Sequence, residues 1–386
     1  MHSWRRRLLT LLGPGLCSGM TLGDWLSLLL ENRFAVDPPY WPRAATISAC
    51  SLVNSLVAAF ESAFYALKIC SVQVKPPIFI LGFPRSGTTH LHNLLTVDQR
   101  FACPNLYQVY FPRTFLSTER ALSRAASFFL PRQRPQDNVK HNFQAPAEDE
   151  WATCITTRCS PYVSPAFRRH EDYYIRYWTF RGVAPGKIVR WKAALVTFLK
   201  KLTWKYDRPL ILKSPPHTGR ISLLLDLFPA ARFIHIHRDP CAVIQSNIGG
   251  RLAVGPYMRL QRDYSVEAHE RRILQYYKDV YDAFFDEQPR IPDGQFHELG
   301  YEDLVNDPLG EVRKVYERLR LPLFEEVEPD LRKYLESVET YRKNRHAELP
   351  PARRREIARF CQRSFEAWGY PIEEASMCSA PRSGEW

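Results

Sequence analysis

Short apolar runs alternate with segments of helical spacing over most of the chain beyond residue 76. The run 77–81 is uncharged and lies between Pro and Gly, which is typical of a buried strand. A second such run, at 209–212, precedes leucines at helical spacing, and further strands are predicted at 232–236 and 295–299. Strands that alternate with helices predict an α/β protein with a central parallel sheet and helices on both of its faces.

The first 75 residues have a different pattern, and we expect an apolar and basic helical extension at 1–75 ahead of a main domain at 76–386. The basic triplet 5–7 precedes the uncharged stretch 8–23, which resembles a signal peptide but lacks a clear small-residue cleavage site. A second uncharged run, 44–60, is at the lower limit of length for spanning a bilayer. Peripheral contact with a membrane and packing on the main domain both remain open.

The composition narrows the classes of ligand and partner that this protein could bind. The chain of 386 residues carries a formal net charge of +12, which suits a multiply phosphorylated cofactor or an acidic membrane, although a solvated basic surface explains it equally well. No aromatic-rich basic repeat or helix-turn-helix signature predicts nucleic-acid binding. The nine cysteines are irregularly spaced without a C-x-x-C pair, so we expect free thiols, no zinc site and a cytoplasmic protein, which the extension could attach to the inner face of the membrane.

A loop with G-x-x-x-x-G spacing, 82–89, joins the first predicted strand to its helix. Such loops turn backbone N–H groups toward an oxyanion, and the hydroxyls of Thr88 and Thr89 can donate as well. Nucleotide triphosphatases have a lysine where this chain has Thr88, and here the positive charge is on Arg85 inside the loop. A guanidinium grips two oxygens of a phosphate or sulfate, so the loop suits a phosphosulfate better than a magnesium-bound triphosphate.

Two other predicted strands end in basic residues. Arg238 follows the strand at 232–236, with Ser246 eight residues further on, and Lys213 follows the strand at 209–212. Ligands of open α/β sheets bind at the carboxyl ends of the strands, so these groups could converge on the loop. Taken alone, an Arg-Asp-Pro sequence is only a helix start, and a strand-end lysine is commonly solvated.

The segment 79–89 resembles the 5′-phosphosulfate loop of the sulfotransferase superfamily. The segment 237–240 together with Ser246 resembles the 3′-phosphate motif of that family, and 212–215 and 301–305 are similar to recurrent family segments. All of them lie in the family's order within the predicted main domain. The resemblance is strongest to the bacterial branch related to tyrosylprotein sulfotransferases.

The resemblance implies a three-layer P-loop-like fold and an enzyme that transfers a sulfuryl group from 3′-phosphoadenosine 5′-phosphosulfate to a hydroxyl group. It implies that Arg85 and the loop amides hold the 5′-phosphosulfate, and that Lys213 stabilises the charge on the departing phosphate oxygen. No metal is implied, because Arg and Lys supply the positive charge. The cofactor-binding residues that it implies, with Tyr301 near the adenine and Arg238 and Ser246 at the 3′-phosphate, are Arg85, Ser86, Gly87, Thr88, Thr89, Arg238, Ser246 and Tyr301.

The acceptor hydroxyl also needs a group that takes its proton. In tyrosylprotein sulfotransferases a glutamate shortly after the first helix does this, but the corresponding stretch, 103–108, has no acidic residue and ends in Gln108. The segment 146–150 resembles an acidic motif of related bacterial proteins, and we assign Glu148 as the candidate catalytic base. Alternatively, these acids cap the helix that follows. Other candidates for the base are His90, His92, His141, Asp149 and Glu150.

The acceptor stays open at this point. Residues 101–200 should cover the cleft, and their aromatics suit a small molecule, sugar, phenol or lipid, but equally a core; they include Tyr107, Tyr110, Trp151, Tyr162, Tyr173, Tyr174 and Trp178. Two other functions remain as alternatives. One is a P-loop phosphotransferase, against which the missing loop lysine argues. The other is a non-catalytic nucleotide-binding protein that lost its base at position 108.

Overall fold

The computed structural model describes residues 10–13, 15–126, 142–338 and 349–372. The basic triplet 5–7 and the candidate base His141 lie outside the described residues.

Four strands form one parallel sheet in the order β2-β1-β3-β4: β1 (Ile78–Leu81), β2 (Ile211–Lys213), β3 (Arg232–His237) and β4 (Phe296–Gly300). The two central strands are almost wholly buried, as expected for apolar runs covered on both faces. The predicted parallel α/β sheet is confirmed.

Helices cover both faces of this sheet and also form the N-terminal part. In the described residues they are α1 (Leu22–Glu31), α2 (Trp41–Cys70), α3 (Thr88–Leu95), α4 (Leu106–Tyr110), α5 (Phe115–Ala126), α6 (Glu150–Thr157), α7 (Glu171–Ile175), α8 (Pro185–Tyr206), α9 (Ile221–Leu227), α10 (Pro240–Met258), α11 (Val266–Glu287), α12 (Tyr301–Asn306), α13 (Pro308–Arg318), α14 (Glu328–Val338), α15 (Pro351–Phe360) and α16 (Gln362–Trp368).

The core is divided by the sheet. Successive strand residues point to opposite faces, so Ile78 and Ile80 belong to a core with α3 and α13, whereas Phe79 and Leu81 belong to a larger core with α8 and α11. The result is a three-layer fold in which the carboxyl ends of the strands meet at one edge. That edge is where the loop 82–89 begins.

The N-terminal helices lie against the main body along one face. Arg158 is paired with Glu31 of α1 at 3.2 Å, and Lys201 of α8 is paired with Glu61 of α2 at 2.5 Å. The chain from Pro38 to Cys70 is, by length and composition alone, apolar and long enough to cross a membrane. Helix α2 is thus considerably longer than the uncharged run 44–60.

Candidate active site

The loop 82–89 has a backbone that few sequences can adopt. Gly82, Arg85 and Gly87 have φ angles of 145°, 75° and 103°. A Cβ atom on Gly82 would lie 2.7 Å from the carbonyl oxygen of Ile236, and one on Gly87 would collide with the ring of Tyr301. The two glycines are therefore required by close approach as well as by conformation.

Ser86 is fully buried in this loop, and its hydroxyl has no hydrogen-bond partner among the described residues. A buried hydroxyl without a partner is uncommon in proteins, because its desolvation is then uncompensated. Thr88 is also buried. Because it is the first residue of α3, its backbone N–H lies at the positive end of that helix. An unsatisfied donor beside a helix N-terminus fits a bound oxyanion.

The loop and the start of α10 lie together, because β1 and β3 are neighbours in the sheet. Arg85 Nε donates to Ser246 Oγ at 3.0 Å, and an Arg238 terminal nitrogen donates to the Arg85 carbonyl at 3.3 Å. The Arg238 guanidinium stacks 4.3 Å from the ring centroid of Tyr301. Its Nε has no hydrogen-bond partner in the described part of the chain, with the exposed Glu302 carboxylate 4.0 Å away. The residues from three distant segments form one cationic cleft.

Lys213 is not a solvated lysine, since 3% of its side chain is exposed. Its Nζ lies 2.5 Å from Glu148 Oε1 and 3.5 Å from Thr89 Oγ1 of the loop. The other Glu148 oxygen accepts a 2.5 Å hydrogen bond from the Tyr162 hydroxyl. Burial, and after it the Glu148 charge, raises the pKa of Tyr162 well above its ordinary value, so the phenol stays protonated and donates.

The three neighbouring acids of the segment 146–150 have different partners. Glu148 reaches the cleft, whereas Asp149 is fully buried, accepts from Ser214 Oγ at 2.8 Å and pairs with His217 Nε2 at 2.6 Å. Burial alone would raise the pKa of Asp149, but these two interactions outweigh it and hold the pKa below its usual value. Glu150 forms a buried ion pair with Arg220.

The alternative in which these acids cap the next helix is wrong for Asp149. It occupies the N-cap position of α6, yet its side chain makes no capping hydrogen bond. Its oxygens are directed instead at the chain that follows β2.

A cavity of about 240 Å³ opens beside the loop. Arg85, Thr88 and Glu148 contribute to its lining where it meets the cleft, and the rest of the wall is largely apolar. Its aromatic wall includes Phe83 and Trp178, whose rings stack at 5.6 Å. The cavity is therefore apolar over most of its wall and ends at the Glu148 carboxylate and at the loop 82–89, which we call the oxyanion loop.

Residues 76–326 match the model of the sulfotransferase family. The chain belongs to this family. It is 35% identical over 327 residues to the omega-hydroxy-beta-dihydromenaquinone-9 sulfotransferase Stf3 of Mycobacterium bovis and of Mycobacterium tuberculosis, and the match covers 84% of each chain. Sulfotransfer is accordingly its activity, which sets aside the phosphotransferase and the non-catalytic alternatives.

Solved sulfotransferase structures share the fold of this sulfotransferase. STF9 of Mycobacterium avium has a TM-score of 0.64 at 19% identity, covering 92% of this chain and 97% of its own. STF1 of Mycobacterium tuberculosis H37Rv has a TM-score of 0.61 at 19% identity, covering 81% and 86%. The P-loop-like fold that the family resemblance implies is thereby confirmed.

Gln108, which ends the stretch where related enzymes have their glutamate, and the candidate base His92 are both in different surroundings. Gln108 is fully buried in a structural network, where its amide nitrogen donates to Glu119 at 3.0 Å and to the Tyr206 hydroxyl at 2.6 Å. His92 is also buried, and burial together with the Lys213 charge lowers its pKa to about 3. Neither side chain lines the cavity, and in the described part of the chain Glu148 is the carboxylate that does.

Several residues of the site were not predicted from the sequence. Ser214 directly follows Lys213 and His217 is four residues after it, so their proximity to the cleft could have been expected, but their pairing with Asp149 could not. The cavity wall from α10, which includes Val254, carries no sequence signal. Of the predicted cleft aromatics, Trp151, Tyr162 and Trp178 line the cavity, whereas others, such as Tyr107, are buried in the core.

Proposed function

We propose that this sulfotransferase takes the sulfuryl group of 3′-phosphoadenosine 5′-phosphosulfate and transfers it to a hydroxyl group on an apolar, lipid-like acceptor. The observation that carries the proposal is the cavity that runs from an apolar wall to Glu148 and the oxyanion loop. An acceptor that fits it buries an apolar body and presents one polar group at the cationic cleft.

The donor fits the residues around the loop. The buried hydroxyl of Ser86 and the loop amides would receive the 5′-phosphosulfate together with Arg85, and Arg238 and Ser246 would receive the 3′-phosphate. Tyr301, which stacks on Arg238, offers its ring to the adenine. When bound, this nucleotide supplies an electrophilic sulfuryl group and a phosphate leaving group.

In this proposal Glu148 takes the proton of the acceptor hydroxyl. Its carboxylate lines the cavity and is held from both sides by Tyr162 and Lys213. A general base has to lie within hydrogen-bond reach of the proton that it removes, and a fixed carboxylate loses little entropy in doing so. Lys213, within 3.5 Å of Thr89, adds a positive charge beside the loop, where negative charge develops during transfer.

The wall of the cavity and the relatives support the acceptor class that we propose. A sugar would leave many hydroxyls facing apolar groups, which costs free energy unless each is hydrogen-bonded. The Stf3 proteins act, by their name, on a hydroxylated menaquinone, which is a lipid. A long apolar molecule that carries a hydroxyl group is therefore the acceptor that we expect.

The test is sulfuryl transfer from ³⁵S-labelled donor to a panel of a hydroxylated menaquinone, a long-chain alcohol, a simple phenol and a monosaccharide, with a chelator present. We expect label on the apolar acceptors and loss of transfer in Glu148→Gln, while Glu336→Gln, an exposed acid on α14 that does not line the cavity, serves as the control. Label on the monosaccharide alone would refute the acceptor class. Dependence on added magnesium would refute the donor assignment.

A further inference from the structure

Helix α2 exposes a long apolar surface to solvent. We call it the α2 stripe, and it consists of Leu52, Val53, Leu56, Phe60, Phe64 and Leu67. The exposure of Leu56 is 70% and that of Leu67 is 89%. These positions recur at intervals of three and four residues, so they share one side of the helix over roughly 22 Å. Soluble monomers rarely expose an apolar surface of this kind without a partner for it.

The charged residues of α2 avoid this side of the helix. Arg43 is 1% exposed and Glu61 is 2% exposed, and both point into the protein. The next charge along the helix, Lys68, lies in its last turn. The solvent-facing side is consequently apolar or small from Trp41 to Leu67, which suits an apolar partner and not a polar protein surface.

Polar contacts fix the orientation of the helix. Glu61 pairs with Lys201 at 2.5 Å and accepts from both the backbone N–H and the hydroxyl of Ser117 at 2.8 Å. Breaking a buried pair of this kind leaves a charge without compensation. The helix therefore cannot turn the α2 stripe inward, nor leave the body to span a bilayer, without losing these contacts. These contacts hold α2 along the surface of the protein, in the orientation of a helix that lies in a membrane interface and does not cross the membrane.

Exposed cations lie near both ends of α2. Lys68 is at the carboxyl end of α2, and Arg33 follows α1. The two helices are antiparallel, because Trp25 of α1 donates to Ser48 of α2 while Leu22 donates to Ser55, so Arg33 lies near the start of α2. An apolar helix side with cations near the two ends of the helix matches an acyl layer bordered by anionic headgroups. The net charge of +12 acts in the same direction.

The same helix is connected to the cavity wall. Arg43, in the first turns of α2, donates to the carbonyl of Pro256 at 2.9 Å and to that of Arg259 at 2.7 Å. These carbonyls are at the end of α10, whose Gly255 and Met258 line the cavity. A partner held on α2 is thus coupled to the chamber for the apolar acceptor by one buried side chain.

We propose that the α2 stripe docks this enzyme on the surface of an anionic lipid bilayer, with α2 lying in the interface. The docking itself rests on the stripe and its bordering cations, and not on the identity of the acceptor. Its consequence for the reaction rests on the proposed function, because an acceptor that partitions into lipid is then concentrated where the enzyme resides.

The experiment is flotation of the full-length protein with phosphatidylcholine vesicles that contain one quarter phosphatidylglycerol, without donor or acceptor. We expect binding, and we expect Leu56→Glu and Leu67→Glu each to weaken it at least tenfold, because each removes a buried apolar side chain from the lipid contact. The matched control is Leu323→Glu, since Leu323 is 67% exposed but lies far along the chain, outside the stripe. Vesicles of phosphatidylcholine alone should bind more weakly.

Binding of adenosine 3′,5′-bisphosphate shows that each variant is folded. The docking proposal would be overturned if the wild-type protein bound neither kind of vesicle. It would also be overturned if Leu56→Glu bound the anionic vesicles as tightly as wild type. Equal binding to both vesicles would overturn the role of the cations. A wild-type dimer that Leu56→Glu converts to a monomer, without vesicle binding, would show that a second copy of the chain covers the stripe. Failure to sulfate any lipid leaves the flotation result unchanged, so the two proposals fail separately.

Discussion

Arg85 combines positive charge with an unfavourable backbone conformation. A left-handed φ in a residue other than glycine costs on the order of 1–3 kcal/mol, and it persists only where the surroundings enforce it. Here the guanidinium is fixed by Ser246, and the Arg85 carbonyl by Arg238. The loop is therefore arranged before a ligand arrives, which reduces the ordering cost of binding.

Arg238→Ala should weaken the binding of adenosine 3′,5′-bisphosphate much more than that of AMP. The two ligands differ in the 3′-phosphate, and a charge-assisted contact is worth roughly 1.5–3 kcal/mol, or about tenfold to over a hundredfold in affinity. Titration calorimetry measures the loss of affinity for each of the two ligands. The control is Arg232→Ala, at the other end of β3. Equal losses for the two ligands would show that Arg238 is structural.

Lys213→Met should lower kcat with little change in the affinity for the product nucleotide. The cation helps most when charge has developed on the departing oxygen, and removal of one preorganised group of this kind costs on the order of a hundredfold to a thousandfold in kcat. Steady-state kinetics and the nucleotide Kd separate the two effects. A kcat that survives while affinity falls would make Lys213 a binding residue.

At the scale of elements, the segment before α6 is tied to the chain after β2. Asp149 accepts from Ser214, whose own hydroxyl oxygen accepts from the backbone N–H of Glu150 at 2.9 Å, so two stretches 65 residues apart form one unit. Lys213 and Glu148 are each one residue away from these contacts. The 2.5 Å pairing of Glu148 with Lys213 is thus a consequence of how the two segments are joined.

Asp149→Asn should therefore impair catalysis, although residue 149 is buried and does not line the cavity. A small displacement of catalytic groups costs about a hundredfold, so we expect kcat to fall by that order while the Kd for adenosine 3′,5′-bisphosphate is maintained. Ser214→Ala should lower kcat as well, and the double variant should lose less than the product of the two factors, since both changes remove one contact. Fully multiplicative losses would argue against the joint role.

The accuracy with which the sequence predicts the bounds of an element depends on whether the element contains charged residues that are paired in the interior. The buried strands are predicted to within a few residues, because apolar runs between Pro or Gly have few other solutions. The bounds of helix α2 were not predicted, since the uncharged run 44–60 ends before Glu61, whose charge is compensated by Lys201 in the folded protein. The partner of Asp149 could not be predicted either, because it depends on which segments meet across the sheet edge.

At the scale of the whole molecule, His92 couples folding to pH. Its folded pKa of about 3 lies below the ordinary 6.5, so between those values the unfolded chain binds a proton that the folded chain does not. Stability should fall as the pH decreases through this window, by up to about 1.4 kcal/mol per pH unit from this residue.

Urea unfolding of wild type and His92→Gln at pH 7 and pH 5 tests this coupling. The substitution can destabilise the fold at both pH values, but the variant should lose less stability between them, because it lacks the group that titrates on unfolding. The same loss in both proteins would show that His92 does not contribute.

The carboxyl end of α2 also provides a native attachment point for a reporter dye. Cys70 is exposed, whereas the other thiols in the described part of the chain are buried or half-buried. Burial raises the pKa of Cys17, Cys103 and Cys361 to about 12, and a thiol that stays protonated reacts slowly with maleimides. Once Cys378, which lies outside the described residues, is replaced by serine, an environment-sensitive fluorophore should attach at Cys70. Its emission colour would then report directly on what α2 touches, without an engineered cysteine.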